Sequence, residues 1–320
     1  MADAAKARRE LERGTRREHE CVVFLARSVD DPCRMGRLAS LLASAGRARD
    51  VWLLHNNTTE AQLATLRRQY PQLLVAQQPA VPPGAWRLFG GKLINYTKAA
   101  FLLWLLADGP QARCAHAWQI EDDVFFTGRW RELFDAHAHA SPRADIVATV
   151  SNSSADKWVW GSTCALNNNT RCPQVEGQMA NVFWPSMRIS RRLAREVSRA
   201  LGSGARGFHE ALLMPVCTAS SWGCEVAPLA DGHIGLLATG HSPGVPRAKS
   251  QQSLEWATSS GLVARGGAGS AAGRLYHPVK CEADAMLGAK AQQWAAVRPP
   301  FLGVPPSTPV HPPSGQTPRE

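Results

Sequence analysis

The chain has 320 residues, 44% hydrophobic and 19% charged, with a formal net charge of +10, the composition of an ordinary globular protein large enough for one large domain or two small ones. No run of 18 uninterrupted apolar residues occurs, so no membrane span is expected, and the first twenty residues, "MADAAKARRELERGTRREHE", lack the apolar centre of a signal peptide. The positive charge collects in that stretch and in "RISRRLAREVSRA" without zinc-finger spacing or an aromatic RNA-binding signature, which argues against nucleic acid and for a solvated helical face or attraction to a phosphate-bearing small molecule.

Residues 1–19 read as a charged arm. "CVVFLA" (21–26) is a short apolar, β-branched run and predicts a buried strand. The loop "RSVDDPC" and a helix "RMGRLASLLASAG" follow, then a second buried strand "DVWLLHN" (50–56), the loop "NNTT", a helix "EAQLATLRRQY" and a short strand "QLLVAQ". "YTKAAFLLWLLAD" (96–108) predicts a strongly apolar helix packed on a sheet, "AHAWQI" (115–120) a fourth strand, "GRWRELFDAHAHA" a helix and "ADIVATV" (144–150) another strand. Strand and helix alternate, as in an α/β domain with a largely parallel sheet.

The second half is less regular. "VWGSTCALNNNTRC" reads as loop and "ANVFWPSMRIS" as strand and turn. "RRLAREVSRAL" is an amphipathic helix with Leu193, Val197 and Leu201 on one face, "GFHEALLMPVCTAS" is a helix, and "CEVAPL" is a late strand. Residues 240–273 read as loop, "RLYHPVK" (274–280) as a short ordered motif, and 298–320 as a Pro-rich disordered tail.

Eight cysteines without a CxxC pair argue against a zinc site. Cys164 with Cys172, and Cys217 with Cys224, bracket segments short enough to close as disulfide loops. Sequons begin at Asn56, Asn57, Asn95, Asn152 and Asn168. These features favour a Golgi or secretory lumen, whereas the missing signal favours the cytoplasm; an anchor absent from this chain reconciles them.

The chemistry concentrates in "HAWQIEDDVFF" (116–126). Glu121, Asp122 and Asp123 follow an apolar strand at the edge where a parallel α/β sheet binds its ligands. Strand alternation sends Glu121 and Asp123 to one side and Asp122 to the other. Adjacent carboxylates repel and lose solvation when buried, so they need a partner. A hard divalent cation, Mg²⁺ or Mn²⁺, is the economical one, with open positions left for diphosphate oxygens. The bland alternative is a helix cap or salt bridges to Arg129 and Arg131.

"WQIEDDVFFTGRW" resembles the metal-binding motif of GT-A glycosyltransferases, the aspartate-x-aspartate class in its Glu-Asp-Asp form, as in N-acetylglucosaminyltransferase I and its relatives; the order of features from residue 20 to 281 is similar as well. The resemblance implies a GT-A-like mixed, mostly parallel sheet flanked by helices. It implies a catalytic domain over 20–297, divided into a nucleotide-sugar half (20–150) and an acceptor half (151–297). Asp123 matches the acidic residue that binds Mn²⁺ or Mg²⁺ directly. Asp122 and Glu121 match positions that contact sugar, ribose or metal-bound water. His277 matches a late metal or phosphate ligand, with Lys280 as a diphosphate partner. Arg27 and Asp30 lie where base and ribose would sit in this fold, and Lys98 is a second diphosphate candidate unless it merely edges its helix. Glu210 stands where inverting members carry their catalytic carboxylate, with Glu225 and Asp231 as rivals. Trp158, Trp160, Trp184 and Trp222 are candidates for an acceptor groove or for plain core packing. A clear uridine-binding signature is missing; the corresponding loops read "ARSVDD" and "HNNTT".

The function that follows is metal-dependent transfer of a sugar from a nucleoside diphosphate sugar, UDP-sugar favoured, to a hydroxyl of a glycan, glycoprotein or glycolipid, with inversion. The alternatives are a metal-dependent phosphoesterase or nucleotidyltransferase, which needs further Asp, Glu or His ligands, and a non-catalytic carbohydrate-binding relative.

Overall fold

The computed structural model describes residues 19–81, 96–126, 128–154, 164–167, 170–174, 178–230, 233–237 and 275–277. The main sheet contains β1 (Glu20–Ala26), β2 (Asp50–His55), β3 (Leu74–Gln77), β4 (His116–Glu121), β6 (Ile146–Ser154), β7 (Gln178–Ser190) and β8 (Val226–Pro228), in the spatial order β3-β2-β1-β4-β7-β6-β8. The β1–β2, β2–β3, β1–β4 and β6–β8 pairs are parallel, while β7 runs antiparallel to both β4 and β6. This is a mixed, mostly parallel sheet, as expected. A small second sheet joins β5 (Phe125–Phe126), β10 (Leu275–His277) and β9 (Ile234–Leu237).

Helices cover both faces. Against one lie α3 (Tyr96–Leu106), α5 (Arg191–Gly202) and α6 (His209–Thr218); against the other lie α1 (Pro32–Ser44), α2 (Glu60–Gln69) and α4 (Trp130–Ala140). The central strand β1 shows why its sequence is apolar without alternation. Cys21, Val23 and Leu25 join the core under α3, Val22, Phe24 and Ala26 join the core under α1, and all six are 3% exposed or less. A strand covered on both faces has no polar side to show.

Local chemistry sets the helix limits. Asp31 caps α1 by accepting from the amides of Cys33 (2.9 Å) and Arg34 (3.3 Å), with Pro32 in the first turn, so α1 begins two residues before the apolar periodicity suggests. Thr59 and Gln62 form a reciprocal capping box at α2.

β7 departs from the expected strand and turn. Its pairing with β6 jumps from Val147↔Arg188 to Thr149↔Phe183, and Pro185 sits inside that irregularity. A proline cannot donate to a ladder, so a bulge is the place where a central strand tolerates one. The Trp184 carbonyl beside it accepts from Gln119 Nε2 at 3.1 Å, and Trp184 Nε1 donates back to Gln119 Oε1 at 2.6 Å.

Disulfides link Cys21–Cys114, Cys164–Cys172 and Cys217–Cys224; Cys33 is also disulfide-bonded, and none of the described cysteines is free. Both short brackets close as expected, whereas the Cys21–Cys114 bridge spans 93 residues. Among the described residues no helix is long and apolar enough to cross a membrane. The N-terminal arm up to residue 18, the loop over 240–273, the tail and residues Trp158, Trp160, Asp231 and Lys280 lie outside the described residues.

Candidate active site

The acidic triplet is not a continuation of the strand. β4 ends at Glu121, and the Val124 amide donates to the Glu121 carbonyl at 3.0 Å, which closes a turn over Glu121–Val124. Strand alternation therefore stops at the first carboxylate. The three acids fan out from a turn, at the carboxyl edge shared by β1, β2 and β4.

Three cations, on opposite faces of the sheet, hold the turn. On one side Lys98 of α3, 2% exposed, forms an ion pair with Glu121. On the other, Arg34 Nε of α1 pairs with Asp122 Oδ2 at 3.1 Å, and Arg37 Nη1 donates to the Asp122 carbonyl at 2.5 Å. Arg34 also donates from Nη1 to Ser28 Oγ at 3.1 Å. Ser28, by hydrogen bonding, holds the exposed Asp30 carboxyl below its ordinary pKa. Asp30 is thereby wired to Asp122 through Ser28 and Arg34. Arg27 is exposed at the end of β1, and its carbonyl accepts from the Asn57 amide at 3.2 Å, joining the loops that follow β1 and β2.

Lys98 sits deeper than a helix-edge lysine. Burial pulls its pKa down to about 7, against the negative charge of Glu210 first, then Asp123 and Asp122. Glu210, in the first turn of α6, thus lies within electrostatic reach of the same lysine, although 87 residues separate it from Asp123 in the sequence. Beneath it His209 is wholly buried, and its pKa is well below the ordinary value because of burial and then the Lys98 charge. His209 stands edge-on to Trp184, ring centroids 5.0 Å apart. Trp184 is fully buried core, not a groove wall, while Trp222 is half-buried with the Arg192 guanidinium 4.0 Å over its ring. Glu225, the rival base, is an exposed residue whose main chain is tied into the fold: its amide donates to Asp145 Oδ2 at 3.1 Å, and its carbonyl accepts from the Asp145 amide at 2.7 Å.

β10 brings in the late histidine. Tyr276 pairs with Phe125 and Leu275 with Phe126, so the strand that ends in His277 lies against Phe125–Phe126, which begins two residues after Asp123. The small sheet is what links the end of the domain to the acidic turn.

The donor set fits a hard divalent ion in composition: carboxylate oxygens on one turn, with a histidine-bearing strand paired to the strand that follows it. Among the described residues, the three-residue group whose ligand atoms all converge is instead His19, Cys21 and Asp50. There Cys21 is in a disulfide and Asp50 pairs with His19 (2.7 Å) and Arg113 (2.5 Å), so that group is structural.

No protein-family model and no curated protein matches the chain. Among solved structures it is similar in fold to GT-A-type glycosyltransferases. Mouse xyloside xylosyltransferase 1, in its apo form, is 12% identical, with 81% of this chain and 97% of that one covered and a TM-score of 0.41. The galactosyltransferase LgtC, in complex with donor and acceptor sugar analogues, is 13% identical over 70% and 80%, at 0.43. The mannosyltransferase PcManGT from Pyrobaculum calidifontis, in complex with GDP-Man and Mn²⁺, is 14% identical over 68% and 56%, at 0.38.

Proposed function

We propose that the protein is a metal-dependent glycosyltransferase that moves a sugar from a nucleoside diphosphate sugar to an acceptor hydroxyl with inversion. The observation that supports it best is the single electrostatic group formed by Lys98, Glu121, Asp122, Asp123 and Glu210 at the carboxyl edge of the sheet. Asp123 and His277 are the proposed metal ligands, and Mn²⁺ or Mg²⁺ held there supplies charge neutralisation for a departing diphosphate. Arg27 and Asp30, on the loop after β1, face the same edge and suit the base and ribose. Lys280 remains a proposed diphosphate partner, and UDP-sugar the favoured donor. Lys98 serves as the internal counter-charge that lets Glu121 and Glu210 share one site.

Glu210 acts as general base. It takes the proton of the acceptor hydroxyl while that oxygen forms a bond to the anomeric carbon. The bond from that carbon to the diphosphate oxygen breaks, and the diphosphate leaves with the electron pair. Glu210 comes from a different element than the triplet, as attack opposite the leaving group requires. A phosphoesterase or nucleotidyltransferase using two metals would need further Asp, Glu or His ligands beside the triplet.

The disulfides support folding in an oxidising lumen, Golgi or secretory, with a glycan, glycoprotein or glycolipid as acceptor. The deciding experiment is Glu210→Gln with Mn²⁺ and nucleoside diphosphate sugars. Donor binding should survive while turnover falls by roughly 10² or more, the scale of general base catalysis. NMR of the early wild-type product should show the anomeric configuration inverted. A retained configuration, or near-normal turnover of the variant, rejects the assignment.

A further inference from the structure

α6 carries Glu210 in its first turn, yet its first residues lack the usual means of fixing a helix start. The N-cap is Phe208, with no side-chain cap. The small loop closed by Cys164–Cys172 grips the chain on both sides of Glu210 instead. On the upstream side Ala165 and Arg206 exchange both main-chain hydrogen bonds, each 2.8 Å, in an isolated antiparallel bridge. Gly207 follows at φ +147°, and a β-carbon there would lie 3.0 Å from Cys164 Cα and 3.3 Å from its sulfur. That position therefore needs glycine on two counts, backbone conformation and space. On the downstream side Cys164 Sγ lies 3.5 Å from the carbonyl oxygen of Ala211. The described residues of the loop also bond to one another: Cys172 donates to the Cys164 carbonyl at 3.1 Å, Leu166 to the Thr170 carbonyl at 2.8 Å, and both cysteines are 3% exposed or less.

We infer that the Cys164–Cys172 loop is a positioning clamp for Glu210, with Gly207 as its closest seat. The inference rests on the reading of Glu210 as general base. A base must meet the acceptor proton at hydrogen-bond distance, so a displacement of the helix start by a fraction of an ångström lowers turnover without altering donor binding. The second disulfide, Cys217–Cys224, staples the far end of the same helix and serves as the comparison.

The test uses the full chain with Mn²⁺ and a turned-over nucleoside diphosphate sugar, well below the melting temperature of every variant. Cys164→Ser/Cys172→Ser, and separately Gly207→Ala, should each lower kcat about tenfold or more with donor KM unchanged. On a Glu210→Gln background the same changes should have no further effect, because the group they misplace is gone. Cys217→Ser/Cys224→Ser should lower the melting temperature while leaving kcat within about twofold. If the double serine variant does not fold, Gly207→Ala carries the test. Wild-type kcat in the Cys164/Cys172 and Gly207 variants, alongside an impaired Glu210→Gln, overturns the clamp and leaves the base intact. Near-normal turnover of Glu210→Gln overturns the base itself. Equal losses from both disulfides overturn the clamp as well, since they would reflect general loosening of the helix.

Discussion

Arg37 Nη1 donates to the main-chain carbonyl of Asp122 at 2.5 Å, across 85 residues of sequence. Arg37 as a whole is 9% exposed, so the acidic turn is fixed by a buried cation bonded to backbone as well as by pairs between side chains. Arg37→Ala leaves that carbonyl without its charged donor and opens space under α1. Stability should fall by about 1.5–3 kcal/mol, the range for a hydrogen bond to a charged group. Urea unfolding measures this, and a weaker Mn²⁺-induced rise in melting temperature should accompany it.

Asp123→Asn keeps the shape of the last acidic side chain and removes its charge. Transfer should drop by roughly 10² or more, with the melting temperature of the metal-free protein little changed. In wild type, chelation by EDTA should abolish transfer, and added Mn²⁺ should restore it. Full activity in excess EDTA would remove the metal from the mechanism.

Lys98→Met breaks the ion pair to Glu121 and removes the positive charge that acts on Glu210 and Asp123. Breaking a buried pair in this way costs about 3 kcal/mol. Adding Glu121→Gln should recover part of the loss, because one of the stranded charges disappears. A divalent ion that binds only the native state raises its stability, and it should raise that of Lys98→Met more than that of wild type, because it replaces a missing cation. Thermal shifts with and without Mn²⁺ separate these outcomes.

His137 of α4 is 4% exposed, packed against Trp118 and His233. Burial first, then the neighbouring His233 and Arg188, lowers its pKa to about 4. A folded-state pKa below the unfolded value of about 6.5 means that stability is full above pH 6.5. It is lost as pH falls towards 4, because only the unfolded chain takes up the proton. His137→Leu should therefore flatten the decline between pH 6.5 and 4 by up to one proton, about 1.4 kcal/mol per pH unit. His116, lowered to about 3 by burial and then Arg188, should keep a residual slope in the variant. Urea unfolding at half-unit pH steps measures both.

Short apolar runs made β1, β2 and β4 legible, because strands buried on both faces leave a contiguous signature that no loop imitates. The position of the acidic triplet followed from the end of the third of them. What the sequence withheld is contact between distant segments. Arg34 and Arg37 look like ordinary surface charges of an amphipathic helix, and only the packing of α1 against β4 aims them at Asp122. Ser28 gives no signal at all. Lys98 stands out as a lone charge in an apolar helix, which was legible, but its depth depends on Glu121 arriving from the neighbouring strand. β5 and β9 are too short to declare themselves, and Pro185 suggests a turn where a bulge lets the strand continue. The Cys21–Cys114 bridge was hidden because eight cysteines allow many pairings, and closeness in sequence favours only the short ones.

The direction of β1 has a practical consequence. Glu20 pairs with His116 and Cys21 with Asp50 at the amino edge of the sheet, the edge that also holds the Cys21–Cys114 bridge and the His19–Asp50–Arg113 cluster. The acidic turn lies one strand length away, about 20 Å at the usual rise per residue. Chain direction thus places His19 and Glu20 at the edge opposite the turn. A protein immobilised on a bead or sensor through that side presents its carboxyl edge outward, where a bulky partner meets it without crossing the support.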